Sequence, residues 1–488
     1  MLLFAVNWLA VLSSASVSAS ETFHWRCLYT HCSGKHDSPL NAAHEELKLQ
    51  NWDMSEVSWT GCSFLSEKKA LCYFTRPNQT GGIYAYRFGA GCDGGYQYSV
   101  GSGVCESPEE SEERRQRGVP PRLACVGNPI NIITGNKFQV EIDYAPAVGI
   151  TGFSRYYNSS STIWGHSYST KLVIGSDSVS LIENNGRMVI FSKTGTLYVP
   201  EQGEFGLLIQ DGSSWSYRSR QGVEKRFDQD GKLTDVLLLS GDTQKITYSS
   251  GGITATSRGR ETLRLTQDGM SQPLTLSLRN MTVSFKYDAK GRLAEALKLT
   301  DGNIQRRSYH YESNDFPRKL TGITDERGVR YATWAYDDKG RAIFSEHSDG
   351  IDRVTVAYNS DGTVSVTNVL GKVAKYSFQT IRGARRIVAI KGEPSSNCPS
   401  SNSAFTYDDG GLLKTKTDNK GNVTTYDYNE RGLEVSRTEA AGTPEARTIT
   451  TAWHPTLFLP VTVTEPNQIT TYTYDAQGRQ LSQTLTER

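Results

Sequence analysis

The chain has 488 residues, enough for two or three domains and a sizeable core. Its 53 Lys+Arg and 52 Asp+Glu cancel to a net charge of +1, which excludes a summed field for nucleic acid or anionic lipid. Hydrophobic residues reach only 37%, but 25 Tyr and 22% charge exclude a disordered polyelectrolyte tail, and 45 Gly with many Thr and Val point to an all-β protein rich in turns.

Residues 1–20 have the shape of a secretory signal peptide. An apolar run from Leu2 to Leu12 is broken only by Asn7, and Val17-Ser18-Ala19 fits small-x-small cleavage, although no Lys or Arg stands near Met1. A short membrane anchor is the alternative, but about eleven apolar residues are too few to span a bilayer. No later stretch is long and apolar enough for a transmembrane segment. The expected location is therefore secreted, periplasmic or cell-surface.

Residues 21–105 read as a disulfide module. Cys27, Cys32, Cys62, Cys72, Cys92, Cys105 and Cys125 crowd one stretch of chain, and only Cys398 lies elsewhere. Such a cluster in a secreted segment is a bridge framework whose pairing the sequence leaves open. Seven is odd, so at least one of these is free or pairs elsewhere. His24, His31, His36 and His44 interleave with Cys27 and Cys32 and raise a zinc reading. The spacing fits no standard finger and an oxidising compartment favours bridges, so no metal is expected. Gly89-Ala90-Gly91-Cys92-Asp93-Gly94 matches a dinucleotide-binding string, but strand-like Tyr96-Gln97-Tyr98 follows where a helix is needed, so it reads as a loop.

Residues 106–124 read as a linker. Glu109-Glu110-Ser111-Glu112-Glu113 is followed by Arg114-Arg115-Gln116-Arg117 and Pro120-Pro121, a charged, apolar-poor stretch expected to be a solvated, protease-accessible tether.

From Phe227 a repeat takes over. Its clearest copies are Phe285-Lys286-Tyr287-Asp288-Ala289-Lys290-Gly291-Arg292-Leu293, Tyr336-Asp337-Asp338-Lys339-Gly340-Arg341, Tyr407-Asp408-Asp409-Gly410-Gly411-Leu412, Tyr428-Asn429-Glu430-Arg431-Gly432-Leu433 and Tyr474-Asp475-Ala476-Gln477-Gly478-Arg479. Aromatic positions also fall at Phe227, Tyr248, Tyr311, Tyr358, Phe378 and Trp453, mostly about 20–25 residues apart, the mark of a repeat architecture. The gap from Tyr248 to Tyr287 has room for one degenerate unit. Tyr favours a strand, Asp opens a type I turn, and Gly takes the left-handed position that closes it, giving a hairpin. Further turns fall midway, at Asp325–Gly328 and Asp418–Gly421 and more loosely at Asp301-Gly302 and Asp349-Gly350. Alternation in Val354-Thr355-Val356-Ala357-Tyr358 supports strands between them. Consecutive units should form one long antiparallel meander.

These residues resemble the YD repeats of the Rhs family over roughly Phe227 to Arg488. Cys125-Val126-Gly127-Asn128-Pro129-Ile130-Asn131-Ile132-Ile133-Thr134-Gly135-Asn136-Lys137, Glu141-Ile142-Asp143-Tyr144, Phe153-Ser154-Arg155-Tyr156-Tyr157-Asn158 and Trp164-Gly165-His166 look like the preface that precedes the repeats in bacterial Rhs proteins. The resemblance divides the chain into a preface β domain at 125–220 and repeats at 221–488. It implies a strip of sheet wound into a hollow shell, which in relatives encloses a C-terminal toxic domain. The family's Asp-Pro-Gly-containing closing segment and a variable toxin have no counterpart before Arg488, so part of a shell is expected, with a C-terminal toxin or shell-completing chain encoded downstream as partner.

No catalytic or cofactor-binding residue is expected. Paired carboxyls such as Asp337/Asp338 and Asp408/Asp409 sit in repeated turns, whereas a glycosidase dyad faces across a cleft. Nucleophile-elbow, zinc-protease and phosphate-loop motifs are missing. The repeat tyrosines are expected to pack on their neighbours as cross-strand aromatic pairs. The reading is a scaffold or delivery component of a toxin system, or the remnant of one. A surface adhesion or glycan-binding protein using the repeat face is the second.

Overall fold

The computed structural model describes residues 24–27, 35–50, 52–66, 69–76, 79–88, 92, 96–99, 101–146, 152–201, 203–238, 241–257, 262–269, 271–392, 402–475, 478 and 480–488. The signal-like segment, His31, Cys32, Cys398, the glycines of the 89–94 string and Arg479 lie outside them.

The amino-terminal module is a four-stranded antiparallel sheet in the spatial order His24–Cys27, Gln79–Phe88, Lys69–Arg76, Ser58–Ser66, covered by helix α1 (Pro39–Leu49). Ser38 caps α1 by accepting from the Asn41 amide, and Pro39 opens its first turn. The helix buries Ala42, Ala43 and Leu47 toward the sheet, where Trp25, Ala70 and Ala85 complete a small core. Two bridges back that core, Cys62–Cys72 and Cys92–Cys105, and Cys27 is also disulfide-bonded. The module rests on the main sheet through Gly101, whose amide donates to Ser180 Oγ at 3.0 Å.

The expected linker is not a tether. Helix α2 (Pro108–Arg115) begins with a capping box between Ser107 and Glu110. The acidic-then-basic order that offsets charge on a free chain is the order a helix dipole favours, with Glu109 and Glu110 in the first turn and Arg114 and Arg115 in the last. Arg114, only 1% exposed, binds Glu106 at 2.6 Å and Glu201 at 2.7 Å and donates to Met188 O at 2.9 Å. A guanidinium so enclosed pins the segment to the strand Met188–Thr194.

Thirty antiparallel strands, from Lys171–Ile174 to Gln480–Glu487, follow one another in sequence order as a single meander. The sheet starts fifty residues ahead of the recognisable repeat, so no structural break falls at 220/221. Its alternation is the expected one: Val354, Val356, Val364 and Val366 are buried and their neighbours face outward. The ribbon winds back on itself. The Leu172 amide donates to Gly231 O at 2.8 Å, and farther along Arg220 donates to Gly432 O at 2.9 Å. A Cβ on Gly432 would strike the Phe205 ring, so only glycine lets these two windings touch.

The preface packs against one side of the ribbon. A three-stranded sheet of Phe138–Tyr144, Phe153–Asn158 and Trp164–His166 contributes Phe153, Tyr157 and Trp164 to a core shared with strands from Leu172 to Trp334. A second core joins Ala124, Val126, Ile130 and Ile132 to Ala342, Val354, Tyr376 and Phe405. Beyond Leu413 the strands are mostly half-buried or exposed, with Ile449 and Thr470 the exceptions, and every residue of Gln480–Glu487 is exposed. Among the described residues no helix is long and apolar enough to cross a membrane, and no cluster of three His, Cys, Asp or Glu could hold a metal.

Candidate functional site

The repeat motif is a joint with three bonded parts. In the unit at Tyr287, the Asp288 amide donates to Arg292 O and the Gly291 amide to Asp288 O, both at 2.9 Å, with Gly291 at φ 68°. Asp288 Oδ1 accepts from the Lys290 and Arg292 amides and Oδ2 from Arg292 Nε at 2.6 Å. The unit at Tyr336 repeats this: Arg341 Nε reaches Asp337 Oδ2 at 2.8 Å, and Gly340 stands at φ 73°. Asp408 and Asp475 each accept from the turn glycine, Gly411 and Gly478, at 2.9 Å. The aspartates are thus turn anchors.

A register shift falls at the motif's first residue, where Tyr287 pairs with Leu293, Tyr336 with Ala342, Tyr407 with Leu413, Tyr428 with Glu434 and Tyr474 with Gln480. This bulge frees the carbonyl of the sixth residue after the aromatic. The next unit satisfies it. Tyr358 donates its hydroxyl to Ala342 O at 3.0 Å and Tyr428 to Leu413 O at 2.9 Å, and the Trp453 indole donates to Glu434 O at 2.8 Å. Tyr336, Tyr407 and Tyr474 reach Leu320 O, Ile387 O and Pro460 O at 2.6, 2.8 and 2.7 Å. The motif arginine leans the same way: Arg341 Cζ lies 4.0 Å from the Tyr358 ring centre. In these units the aromatic is tied by a hydrogen bond to the backbone of the unit before rather than by the expected ring-to-ring pair.

The degenerate unit is at Gln267. It pairs with Pro273 across a bulge, Asp268 closes on Gln272, and Ser271 takes the left-handed place at φ 64°. Tyr287 then donates to Pro273 O at 2.9 Å, as the rule requires. Tyr248, by contrast, pairs with Ile253 without a bulge and is partly exposed.

The chemically richest place is the face of the preface pressed against the ribbon. On Phe138–Tyr144 the buried side chains are Phe138 and the polar Gln139, Glu141 and Asp143, while Val140 and Ile142 are exposed. Asp143 holds Arg155 at 2.7 and 2.8 Å, and Arg155 also donates to Tyr309 at 2.8 Å. Glu141 Oε2 accepts from Arg307 at 2.7 Å and from Tyr309 at 3.3 Å, and Glu141 Oε1 accepts from Gln139 Nε2 at 2.8 Å. Gln139 Oε1 accepts from Lys137 Nζ at 2.8 Å. Lys137 is fully buried, with its Nζ 4.2 Å from the Trp334 ring centre and a further bond to Phe138 O. Burial pushes the Lys137 ammonium well below its usual range, against the opposing pull of Glu141. Burial also disfavours the Arg155 cation, but Asp143, Tyr309 and Glu141 together hold it well above its ordinary value. Tyr309 is pushed up by burial.

Two backbone contacts lock the preface to the repeats. The Ala342 amide donates to Gly135 O at 2.8 Å, and the Trp334 indole to Asn128 O at 3.0 Å. Cys125 lies beside this network on the short strand Cys125–Val126, apart from the disulfide module to which its spacing assigned it. Sequence reasoning quoted Lys137, Glu141, Asp143 and Arg155 only as signature residues. The signal was the polar alternation Gln139-x-Glu141-x-Asp143, which reads as a solvent face unless something polar covers it.

Two family profiles match the chain. The one described as "Domain of unknown function (DUF6531)" covers residues 127–191, and the one described as "RHS Repeat" covers 407–444. No curated protein matches by sequence. Among solved structures, TcdB2-TccC3-Cdc42 is 12% identical with a TM-score of 0.30, covering 86% of this chain and 25% of that one. A Photorhabdus luminescens Tc holotoxin pore carrying a TccC3 variant is 11% identical with a TM-score of 0.28 and the same coverage. A porin-like protein from Bacteroides uniformis is 9% identical with a TM-score of 0.17, covering 58% of this chain and 95% of that one. The chain thus spans about a quarter of the length of the first two, and at these scores the likeness carries no conclusion about it. The serial Tyr-Asp turns, the thirty-strand meander they build and the matched repeat profile give this chain a ribbon of Rhs-type YD repeats, led by a segment that matches the DUF6531 domain.

Proposed function

We propose that this scaffold is a non-catalytic wall of a toxin-enclosing shell that acts outside the cytoplasm. The carrying observation is the contrast along the ribbon. From Lys171 to about Phe405 the ribbon shares two hydrophobic cores with the preface, whereas beyond Leu413 buried side chains such as Ile449 and Thr470 are few and every residue of Gln480–Glu487 is exposed. A thinly covered stretch of sheet fits a partner that lies against it. Glu487 and the rest of that strand present backbone groups along one edge with no further strand beside them among the described residues. The bond from the repeat tyrosines to the previous unit supports the wall role, because it ties successive hairpins together.

The test is co-expression of the tagged chain with the product of the reading frame immediately downstream. A stable complex in which that product resists protease, lost on Thr484→Pro in the last strand, is the expected result. Free, fully digestible product would overturn the proposal.

A further inference from the structure

We propose that Lys137 and Gln139 become joined by an isopeptide bond inside the preface, with Glu141 carrying the proton. The inference is independent of what the shell encloses.

Three facts place the reaction. Lys137 has no exposed surface, so an ammonium there lacks water to solvate it. Its Nζ donates to Gln139 Oε1 at 2.8 Å, which makes the Gln139 amide the electrophile next to the amine. The amide's other end is held too: Gln139 Nε2 donates to Glu141 Oε1 at 2.8 Å and to Val140 O at 3.3 Å. The amine, the electrophile and a carboxyl touching the leaving nitrogen thus alternate at residues 137, 139 and 141 on one buried face.

The neighbours suit the roles. Arg307 and Tyr309 occupy Glu141 Oε2 and leave Oε1 directed at the amide. The Trp334 ring closes the lysine side and excludes water that would compete as nucleophile. Burial favours the uncharged, nucleophilic amine, as for other desolvated lysines. The other charged groups facing the cluster, Arg155 and Asp143, are engaged with each other.

The step balances without a co-reactant. The neutral Nζ attacks Cδ of Gln139 and forms a C–N bond. Glu141 takes one proton from Nζ and delivers it to Nε2, the Cδ–Nε2 bond breaks, and ammonia leaves. The product is a secondary amide, which removes the buried amine altogether and relieves its desolvation.

Mass spectrometry of the full chain after denaturation, reduction and tryptic digestion decides it. The expected product is one peptide from Leu123 to Arg155, uncut at Lys137 and lighter by one ammonia, with fragment ions assigning the loss to a Lys137–Gln139 link. Cleavage after Lys137 with both halves at full mass would overturn the proposal, as would a loss assigned to Asn136 alone. Glu141→Gln should restore the full mass and the cut at Lys137. A link formed equally well in that variant would overturn the role of Glu141.

Discussion

Removing a single hydroxyl tests the unit-to-unit link and grades it along the ribbon. In Tyr336→Phe the lost bond is the 2.6 Å contact to Leu320 O, and Leu320 is fully buried. A typical hydrogen bond is worth about 1 kcal/mol net, and a buried carbonyl left without a donor costs about 1–3 kcal/mol. Water has no route to Leu320 O beneath the preface, so the upper part of that range applies. In Tyr474→Phe the partner is Pro460 O at 2.7 Å, on strands that are half-buried or exposed. Water can replace that hydroxyl, and the cost should stay below about 1 kcal/mol. Hydrogen exchange followed by mass spectrometry reads both, since repeat arrays open locally and each variant should loosen its own hairpins first. Tyr336→Phe should speed exchange in 320–347 by roughly thirty- to a hundred-and-fiftyfold, and Tyr474→Phe should speed exchange in 460–487 by less than about fivefold. Equal effects, or a larger one at Tyr474, would refute the idea that the hydroxyl's worth lies in a carbonyl water cannot reach.

Two other perturbations probe the preface. Arg114→Ala would leave Glu106 and Glu201 as buried, uncompensated carboxylates, a loss of about 3–5 kcal/mol readable by urea denaturation. In the wild-type chain the same packing should shield the 114–117 arginines from brief trypsin treatment; rapid cutting there would mean the segment is a tether after all. His166 is enclosed, and burial lowers its pKa from 6.5 to about 4. Because the folded value lies below the unfolded one, the unfolded chain binds the extra proton, so this contribution is intact above about pH 6.5 and is lost as pH falls toward 4. The shift corresponds to about 3 kcal/mol in all. His166→Phe should flatten stability against pH across that window by up to one proton; an unchanged slope would show that His166 is not buried neutral.

Much of this architecture can be read from residues alone. The Tyr-Asp…Gly turns are local: one side chain bonds its own backbone and one glycine adopts φ near 70°, so each motif carries its geometry with it. Strand alternation around Val354 and Val364 is local in the same sense. What the pattern hid depends on partners far along the chain. Glu109–Arg117 looks solvated because its polar partners, Met188 O and Glu201, lie 74 and 87 residues from Arg114 and arrive only on folding. Gln139, Glu141 and Asp143 look like an outer face because the residues that cover them, Arg307 and Tyr309, come from the ribbon. The degenerate unit at Gln267 lacks both the aromatic and a glycine at the closing position, where Ser271 stands, and only its bulge and its bond to Tyr287 reveal it.

The central claim is that the preface packs against the wound ribbon. A Cβ built on Gly127 falls 3.4 Å from Ser345 Cβ, at the short end of the separation a disulfide spans, although 218 residues separate them in sequence. Gly127→Cys with Ser345→Cys should therefore oxidise in the folded protein to a single cross-link, found as a joined 127–345 peptide pair under non-reducing conditions. If both thiols instead stay free to alkylation while the chain remains folded, the preface is not where this account places it.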